Sequence, residues 1–384
     1  MLGCLAAHLP ALAQPDFTNY RSGVAHKGRG EYREAITDFT KFLDFNPSYT
    51  KAYYHRAYTY LYIRDFRNAQ RDFQNILDLE PNNTDGLAGI GECYLEARDY
   101  TRAIEYLGKA VQRNPKLADT WNKKGMAHCF AEDFGAGEQC FQAATRADTS
   151  FAIAYSNAGA AAYFNQDIEA PSDGDLRAAH RWFSRAVRHD SMLFIAWRNR
   201  AAVNYFLKNY PEALTDLAHA AKLNTDDAMT EFYVGVTKEA IGEHRAATIA
   251  LETASKMDST LAIAYEEIGN IERNQKSYLS AINFYDRAKD RARNNRAYQG
   301  LMDYHIACCY AYEKKEKEMY AALRDALRKG AFSDRAVYKE FVENTLFNEY
   351  RVKSAFIELN NEIRAVKKEN KFLSPRLRWF RMKT

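Results

Sequence analysis

Few side chains in this sequence are spaced as metal-binding groups usually are. His305, Cys308 and Cys309 would share one face of a helix, at spacings of three and four residues. A fourth ligand and a second motif of this kind are missing, and cysteine inside a helix commonly behaves as a small core residue. We therefore expect these three side chains to pack in the core, and we expect no metal site.

The acidic run Asp173-Gly174-Asp175 is a second candidate for ion binding, but it is too short for a calcium loop. Such a loop needs alternating acidic ligands and a distal glutamate. The sequence also contains no glycine-rich phosphate loop and no nucleophile elbow. It therefore predicts a chain that is not an enzyme and that uses no cofactor and no small-molecule substrate.

The charge of the chain is concentrated at one end. The 384 residues are 47% apolar and 27% charged, which is ordinary for a folded protein, and the net charge is +4. Residues 367–384 hold seven basic and one acidic side chain, so they contribute 7 − 1 = +6, and the rest carries 4 − 6 = −2. A near-neutral body disfavours nucleic acid as the main partner. The basic end is either a solvated tail or a contact for an anionic lipid surface or RNA.

Aromatic, glycine, alanine and proline residues recur at intervals of about 34 residues. The interval is clearest in residues 84–117, where the marking residues are Gly91, Tyr94, Tyr100, Ala103, Ala110 and Pro115. Pro47 and Pro81 precede Pro115 at the same spacing. Each unit reads as two short helices whose small residues allow close packing, with proline after the second helix.

Eight units in phase, and a ninth displaced by four residues, cover residues 16–330 and resemble the tetratricopeptide repeat family. The resemblance implies an all-α, right-handed superhelical solenoid of antiparallel helix pairs. It also implies that the first helix of each pair lines a concave surface, which binds extended or helical segments of other proteins. We expect a non-catalytic scaffold for protein–protein interaction.

The helical period, applied to the first helices, predicts which side chains line this groove. The chain has 26 Tyr and 22 Phe, more than such cores need, so some aromatic side chains are expected at the surface. Asparagine amides could bond a peptide backbone, and aromatic rings could grip its side chains. The predicted lining, in which any single aromatic could instead belong to the core, is Tyr54, Tyr58, Tyr62, Asn122, Met126, Phe130, Asn157, Phe164, Arg198, Asn199, Phe206, Phe232, Tyr233, Glu266, Glu267, Asn270 and Tyr304.

The family's carboxylate clamp, which grips the C-terminal acid of chaperones, is not matched. Asn122 stands where the clamp needs a lysine, and Met126 stands where it needs an asparagine. A chaperone co-factor role is therefore disfavoured.

The segments outside the repeats indicate a cellular location for the chain. Residues 1–13 resemble the apolar core of a signal peptide ending in the small-x-small pattern of Ala11-Leu12-Ala13, although nothing basic precedes them. An insertion with turn residues falls near residues 166–175, a helical cap is expected over 331–370, and a basic tail over 371–384. We expect a periplasmic or secreted part of a bacterial envelope or secretion assembly. The alternative is a cytoplasmic adaptor whose tail contacts anionic lipid or RNA.

Overall fold

The structure is a computed structural model that describes residues 17–164, 172–366 and residue 368. Those residues form twenty α-helices and two short 3-10 turns, with no strand among them. The all-α fold of consecutive helix pairs is therefore confirmed. The leader 1–13, residues 166–171 of the insertion and the basic tail lie outside the described residues. Two compact units divide the chain, and unit 1 ends at Ala161 while unit 2 begins at Ala162.

Unit 1 contains four complete helix pairs and most of a fifth first helix. Its helices are α1 (Thr18–Gly28), α2 (Tyr32–Phe45), α3 (Thr50–Tyr62), α4 (Phe66–Leu79), α5 (Thr84–Glu96), α6 (Tyr100–Arg113), α7 (Ala118–Phe130), α8 (Phe134–Ala147) and α9 (Ala152–Phe164), whose last residues fall in unit 2.

Unit 2 continues the pairing and then departs from it. Its helices are α10 (Asp173–His189), α11 (Phe194–Phe206), α12 (Tyr210–Leu223), α13 (Ala228–Ala240), α14 (His244–Met257), α15 (Ala262–Asn274), α16 (Tyr278–Arg291), α17 (Arg296–Tyr312), α18 (Glu316–Lys329), α19 (Arg335–Glu343) and α20 (Ser354–Ala365). The 3-10 turns Ala331–Ser333 and Thr345–Phe347 flank α19.

In every pair except α9 and α10, a three-residue turn joins the two helices, and its middle residue has a left-handed backbone. The middle residues with positive φ are Gly30, Arg64, Arg98, Glu132, Lys208, Gly242, Lys276 and Lys314. The last turn residue caps the second helix in several pairs. Asp65, for example, accepts a hydrogen bond from the Asn68 backbone N–H at 3.2 Å. The recurring turn keeps the helices of each pair antiparallel and in the same register.

Within each unit, the first helices of successive pairs contact one another. In unit 1, α1 contacts α3, α3 contacts α5 and α5 contacts α7, and in unit 2 α11, α13 and α15 do the same. We call the surface formed by these first helices the inner face of the unit. The second helices pack behind it and bury alanine and large apolar side chains such as Phe73, Leu107, Leu217 and Leu251.

The structure corrects one expectation at the insertion. The turn residues predict that the insertion continues to Asp175, but Asp173, Gly174 and Asp175 form the first turn of α10. The Ser172 side chain caps this turn by accepting a hydrogen bond from the Asp175 backbone N–H. Two aspartates at the start of a helix are stabilised by the helix dipole, which explains why acidic residues stand there.

The ninth pair is displaced because its first helix is one turn longer. α17 has 17 residues, whereas the other first helices that follow α10 have 13. α18 ends where the sequence predicts, with Gly330 in the left-handed region at φ 86°. Behind it, α19, the 3-10 turns and α20 bury Phe332, Phe341, Phe347 and Phe356 against α17 and α18. These segments cover the last apolar surface of the array, as a terminal cap does.

Candidate functional site

Three tyrosines on α3 form the aromatic part of the inner face of unit 1, and we call them the tyrosine face: Tyr54, Tyr58 and Tyr62. The rings of Tyr54 and Tyr58 lie 4.7 Å apart. The Lys27 ammonium of α1 lies 5.5 Å from the Tyr58 ring centroid and 5.6 Å from that of Tyr62. Tyr54 and Tyr58 are half-buried and Tyr62 is exposed, so part of this ring surface is open to solvent.

A charged network lies beside the tyrosine face. The Tyr58 hydroxyl donates to Glu92 at 3.1 Å, and the Lys123 ammonium lies 2.7 Å from Glu92 and 2.9 Å from Asp119. Burial and the Glu92 carboxylate raise the pKa of Tyr58 above its usual value, so this hydroxyl stays a donor at physiological pH. Glu92 therefore already has partners within unit 1, although it shares the Lys123 cation with Asp119.

The inner face of unit 2 contains a cavity of ≈ 490 Å³, which we call the acidic cleft. Its described lining comes from α11, α13, α15, α17 and α19: Tyr205, Phe206, Val236, Glu239, Glu266, Glu267, Asn270, Ile271, Arg273, Asn274, His305 and Glu340. Four of these side chains are glutamates and one is an arginine. The cleft therefore carries an excess of negative charge.

Glu266 is buried in the acidic cleft and held in place by neighbouring side chains. Glu266 is 3% exposed and accepts a hydrogen bond from the Tyr298 hydroxyl at 2.6 Å. Arg273 bonds His305 Nδ1 at 3.4 Å, and since a guanidinium only donates, the ring proton must lie on Nε2. That nitrogen faces Glu266 at 4.0 Å. These contacts fix the direction of the Glu266 carboxylate before any ligand arrives.

The remaining carboxylates of the cleft differ in exposure. Asn270 contacts Glu267 at 3.4 Å and accepts a hydrogen bond from the Tyr285 hydroxyl at 2.9 Å. Glu239 lies 2.6 Å from His244 Nδ1. Glu340 on α19 is surface-exposed, although its carboxylate lies close enough to the protein for burial to raise its pKa, an effect that Arg273 opposes.

Eight of the predicted groove residues are buried and pack between helices instead of facing an open groove: Asn122, Met126, Asn157, Arg198, Asn199, Phe232, Tyr233 and Tyr304. The asparagines show the reason. Asn157 donates to Asn122 at 2.9 Å, so the amides of adjacent first helices satisfy each other. Glu266 and Glu267 are also buried, but they line the acidic cleft.

Arg198 and Tyr304 are buried for different reasons. Arg198 is 2% exposed, and its Nη1 contacts both oxygens of Asp227 at 2.9 and 3.0 Å. Tyr304 lies under the cap, where its ring contacts Phe332 and Phe341 and its hydroxyl accepts from Asn344. A sequence pattern over the first helices could not include this cover, because the cap is not a repeat.

The other predicted residues remain at or near the surface. Phe206 and Asn270 both line the acidic cleft, so the structure brings these two together. Phe130 is 42% exposed and lies 5.5 Å from the Tyr100 ring. Phe164 is half-buried at the end of α9. For these residues and for the tyrosine face, partner binding stays a prediction.

Some cleft residues were missed by the sequence reasoning. Glu239, Arg273 and His305 lie on predicted first helices, so their charges could have been read along the inner face. Glu340 could not have been found in this way, because it reaches the cleft only through the packing of the cap. Within residues 17–164 and 172–366, no group of three or more His, Cys, Asp or Glu side chains is arranged to hold a metal ion.

His305, Cys308 and Cys309, whose spacing resembles that of metal ligands, are core residues. His305 is 7% exposed, and Cys308 and Cys309 are almost completely buried. Burial raises the pKa of Cys308 and of Cys309 to about 12. No helix in the described part of the chain has the length and apolar character needed to cross a bilayer.

Successive helix pairs with a shared inner face define an α-helical repeat protein. A family model described as Tetratricopeptide repeat matches residues 54–118. The match covers 65 of the 384 residues, and helix pairs of the same kind extend through both units, as in tetratricopeptide repeat proteins. Repeats of this family typically form scaffolds for protein–protein interaction, and its members are generally non-catalytic. No curated protein matches the chain.

Several solved structures are similar to this chain at low sequence identity. PilF of Pseudomonas aeruginosa is 15% identical, with 57% of this chain and 95% of that chain covered and a TM-score of 0.50. A tetratricopeptide repeat protein of Parabacteroides merdae is 13% identical, with 65% and 96% covered and a TM-score of 0.49. YrrB, described as having an unusual peptide-binding site, is 19% identical, with 50% and 95% covered and a TM-score of 0.39. At these identities the likeness concerns the fold alone.

Proposed function

We propose that this chain is a non-catalytic interaction scaffold that holds a cationic segment of a partner protein in the acidic cleft. The observation that carries the proposal is the charge of the cleft. Four glutamates and one arginine stand among its described lining residues, in a cavity of ≈ 490 Å³. A lysine or arginine side chain is the guest that such a cleft favours.

The geometry explains how such a side chain would be held. Glu266 and Glu267 lie on α15, are buried, and are directed by Tyr298 and Asn270. A guest ammonium or guanidinium can therefore bond to carboxylates that need little reorganisation, in surroundings where water screens the charges weakly. The aliphatic stem of the guest can pack on Phe206 at the rim.

The tyrosine face provides a second contact of different character. Tyr54, Tyr58 and Tyr62 offer ring surface with charges of both signs beside it: Lys123 pairs with Glu92 and Asp119, and the Lys27 ammonium lies over two of the rings. Aromatic side chains of this kind often dominate the energy of protein interfaces. A partner that uses this face contributes apolar side chains and hydrogen bonds rather than a strong charge.

Binding to the cleft can be tested with peptides of about 12 residues, selected from a random displayed library on the purified chain. Selected peptides should be rich in arginine or lysine. Replacing the charged side chain by glutamine in a selected peptide, or Glu267→Gln in the protein, should weaken binding about tenfold, the size of one charge-assisted hydrogen bond.

Glu318→Gln is the matched control, because Glu318 is an exposed glutamate of unit 2 outside the cleft. It should bind the peptides as the unchanged chain does. Selection of acidic or uncharged peptides, or equal losses in the two glutamate variants, would refute the proposal.

We further propose that the scaffold works in a bacterial envelope or secretion assembly, as a periplasmic or secreted protein. The support is the apolar leader, which ends in Ala11-Leu12-Ala13. The basic tail supports the alternative, a cytoplasmic adaptor that contacts anionic lipid or RNA.

Cell fractionation with sequencing of the mature N-terminus separates these two locations. A chain that begins at Gln14 in the periplasmic fraction would support export. An intact chain in the cytosol, starting at Met1, would rule export out.

A further inference from the structure

A second charged cavity lies in unit 2, away from the cleft lining. It measures ≈ 460 Å³, and we call it the basic pocket. Its described lining residues are Arg293, Arg296, Gln299, Asp325, Arg328 and Lys329. Arg293 lies in the turn before α17, and Arg296 and Gln299 lie in the first turn of α17. Asp325, Arg328 and Lys329 lie in the last turns of α18.

Gly300 brings these two helix ends together. A Cβ atom at this position would lie 3.0 Å from Lys329 Cβ and 3.1 Å from the Ala326 carbonyl oxygen, so glycine permits a close approach that a side chain would hinder. The Arg296 guanidinium then donates to the Arg328 carbonyl oxygen at 3.1 Å. The contact places the basic side chains at the start of α17 beside those at the end of α18.

The charges of the pocket are only partly balanced. Arg328 bonds Asp325, and Lys329 bonds Asp303 at 2.5 Å from behind the pocket. Lys289, which also contacts Asp303, is balanced separately by Asp286 at 2.7 Å. Four lining cations and the two aspartates give 4 − 2 = +2.

Arg293 is the least constrained of the lining cations. It is exposed, and it makes no hydrogen bond or ion pair with any residue in the described part of the chain. Neighbouring guanidinium groups repel one another, and an anion between them relieves that repulsion while accepting several charge-assisted hydrogen bonds. The planar donor fork of arginine matches the oxygens of a phosphate.

We propose that the basic pocket is a binding site for a phosphoryl dianion, whose charge equals the excess of +2. The phosphoryl group can be free or carried as an ester by a partner. Arg293 and Arg296 are its main ligands, and Arg328 assists. The site is independent of the acidic cleft, because no residue lines both cavities.

The test is isothermal titration of the full chain with inorganic phosphate, with a phosphoserine peptide, and with the same peptide carrying glutamate. Both phosphate probes should bind, and the glutamate peptide should bind at least about tenfold more weakly, as expected for loss of one charge-assisted contact. Arg293→Gln should weaken phosphate binding about tenfold. It removes no contact within the described structure, so the fold is preserved.

Arg245→Gln, at an exposed arginine of unit 2 outside the pocket, is the charge-matched control and should bind phosphate normally. Glu267→Gln should also leave phosphate binding unchanged, which separates this site from the cleft. If only the phosphoserine peptide binds, the ester is the ligand, and if both phosphate probes bind equally, the phosphoryl group suffices. The proposal fails if neither phosphate probe binds, if the glutamate peptide binds as tightly as the phosphoserine peptide, or if Arg293→Gln and Arg245→Gln have equal effects.

Discussion

The tyrosine face and the acidic cleft occupy the same places in two different repeats. α3 and α15 each have 13 residues, and their starts at Thr50 and Ala262 differ by 262 − 50 = 212. The fifth and ninth residues are therefore Tyr54 and Tyr58 in unit 1 but Glu266 and Asn270 in unit 2. Equivalent backbone positions therefore carry aromatic side chains in unit 1 and an acid and an amide in unit 2.

The neighbouring helices decide how these positions are exposed. In unit 1 the next first helix, α5, has Ala88 and Gly89 near this surface, and the tyrosines stay half-buried. In unit 2, α17 brings Tyr298 and His305 onto Glu266, which is almost completely buried. The comparison teaches that each repeat fixes where a side chain lies on the inner face. The first helix of the adjacent repeat decides how exposed that side chain is and which polar partners it has.

The largest expected effect tests whether the two units share a framework behind their different faces. Asp72 and Asp216 each accept two hydrogen bonds, at 2.6 to 2.8 Å, from an arginine sixteen residues earlier, Arg56 or Arg200. Asp72→Ala and Asp216→Ala should each cost about 3–5 kcal/mol, because a largely buried arginine loses its partner. Urea unfolding measures the loss, and hydrogen exchange should locate it in the altered unit.

Arg56→Met and Arg200→Met, added to the respective alanine variants, should recover part of this stability because the unpaired charge is removed. A loss below about 1 kcal/mol in one unit, as for an exposed pair, would show that the two frameworks differ.

The next prediction concerns the packing between α5 and Phe73 of α4, behind the tyrosine face. A Cβ atom on Gly89 would lie 2.3 Å from the Phe73 ring, and Phe73 contacts the Tyr58 ring at 5.3 Å. Gly89→Ala should cost about 1–3 kcal/mol through overpacking. Gly108→Ala is the matched control, because its nearest neighbouring atom is 3.7 Å away. It should instead stabilise the chain by about 0.5–1 kcal/mol through helix propensity. Equal shifts in thermal unfolding would contradict the steric argument.

A third prediction concerns a variant that makes the charge beside the tyrosine face more like that of the acidic cleft. Lys123→Gln leaves Glu92 and Asp119 without their shared cation and so gives unit 1 an excess of negative charge. The variant should bind an arginine-bearing peptide at the tyrosine face about fivefold more tightly, the effect of about 1 kcal/mol from a partly exposed charge. Titration should be performed in the Glu267→Gln background, in which binding at the cleft is weakened about tenfold. Lys109→Gln, at an exposed ion pair elsewhere in unit 1, should have no such effect.

The smallest effect is expected from pH. Burial, assisted by Lys27 and Lys51, lowers the pKa of His55 in unit 1, and burial with Arg200 lowers that of His180 in unit 2. The unfolded chain binds protons below about pH 6.5 more readily than these folded histidines do. Stability should therefore fall as the pH drops below that value, toward the lowered folded pKa.

Urea midpoints at several pH values measure this dependence. His55→Gln and His180→Gln should each flatten it, and hydrogen exchange should show the change in the altered unit. His219→Gln, at an exposed histidine of unit 2, is the control for the removal of an imidazole. An unchanged pH profile in both test variants would contradict the assigned cause.

The repeat period predicted the architecture well because it arises from packing within each pair. Tyr94, Ala103 and Ala110 mark positions that local helix geometry alone brings together. The same argument assigned Tyr54, Tyr58, Phe206 and Asn270 to the inner face. That assignment depends only on which side of its own helix each residue occupies.

The period could not predict which inner positions are open. Asn122 and Asn157 are 35 residues apart, and their mutual hydrogen bond depends on the separation of adjacent first helices. Tyr304 and Glu340 depend on the cap, whose course does not repeat. Burial and pairing across repeats are three-dimensional properties, so they are lost when each helix is read separately.

The left-handed turns of the array have a practical consequence for engineering heat resistance. Six of the eight such turns in the described chain carry a charged side chain in place of glycine: Arg64, Arg98, Glu132, Lys208, Lys276 and Lys314. An ordinary residue in this conformation is strained by about 1–2 kcal/mol. None of the six belongs to the tyrosine face or lines the acidic cleft. Glycine at these turns therefore offers a route to a more heat-resistant scaffold whose ligand surfaces are unaltered.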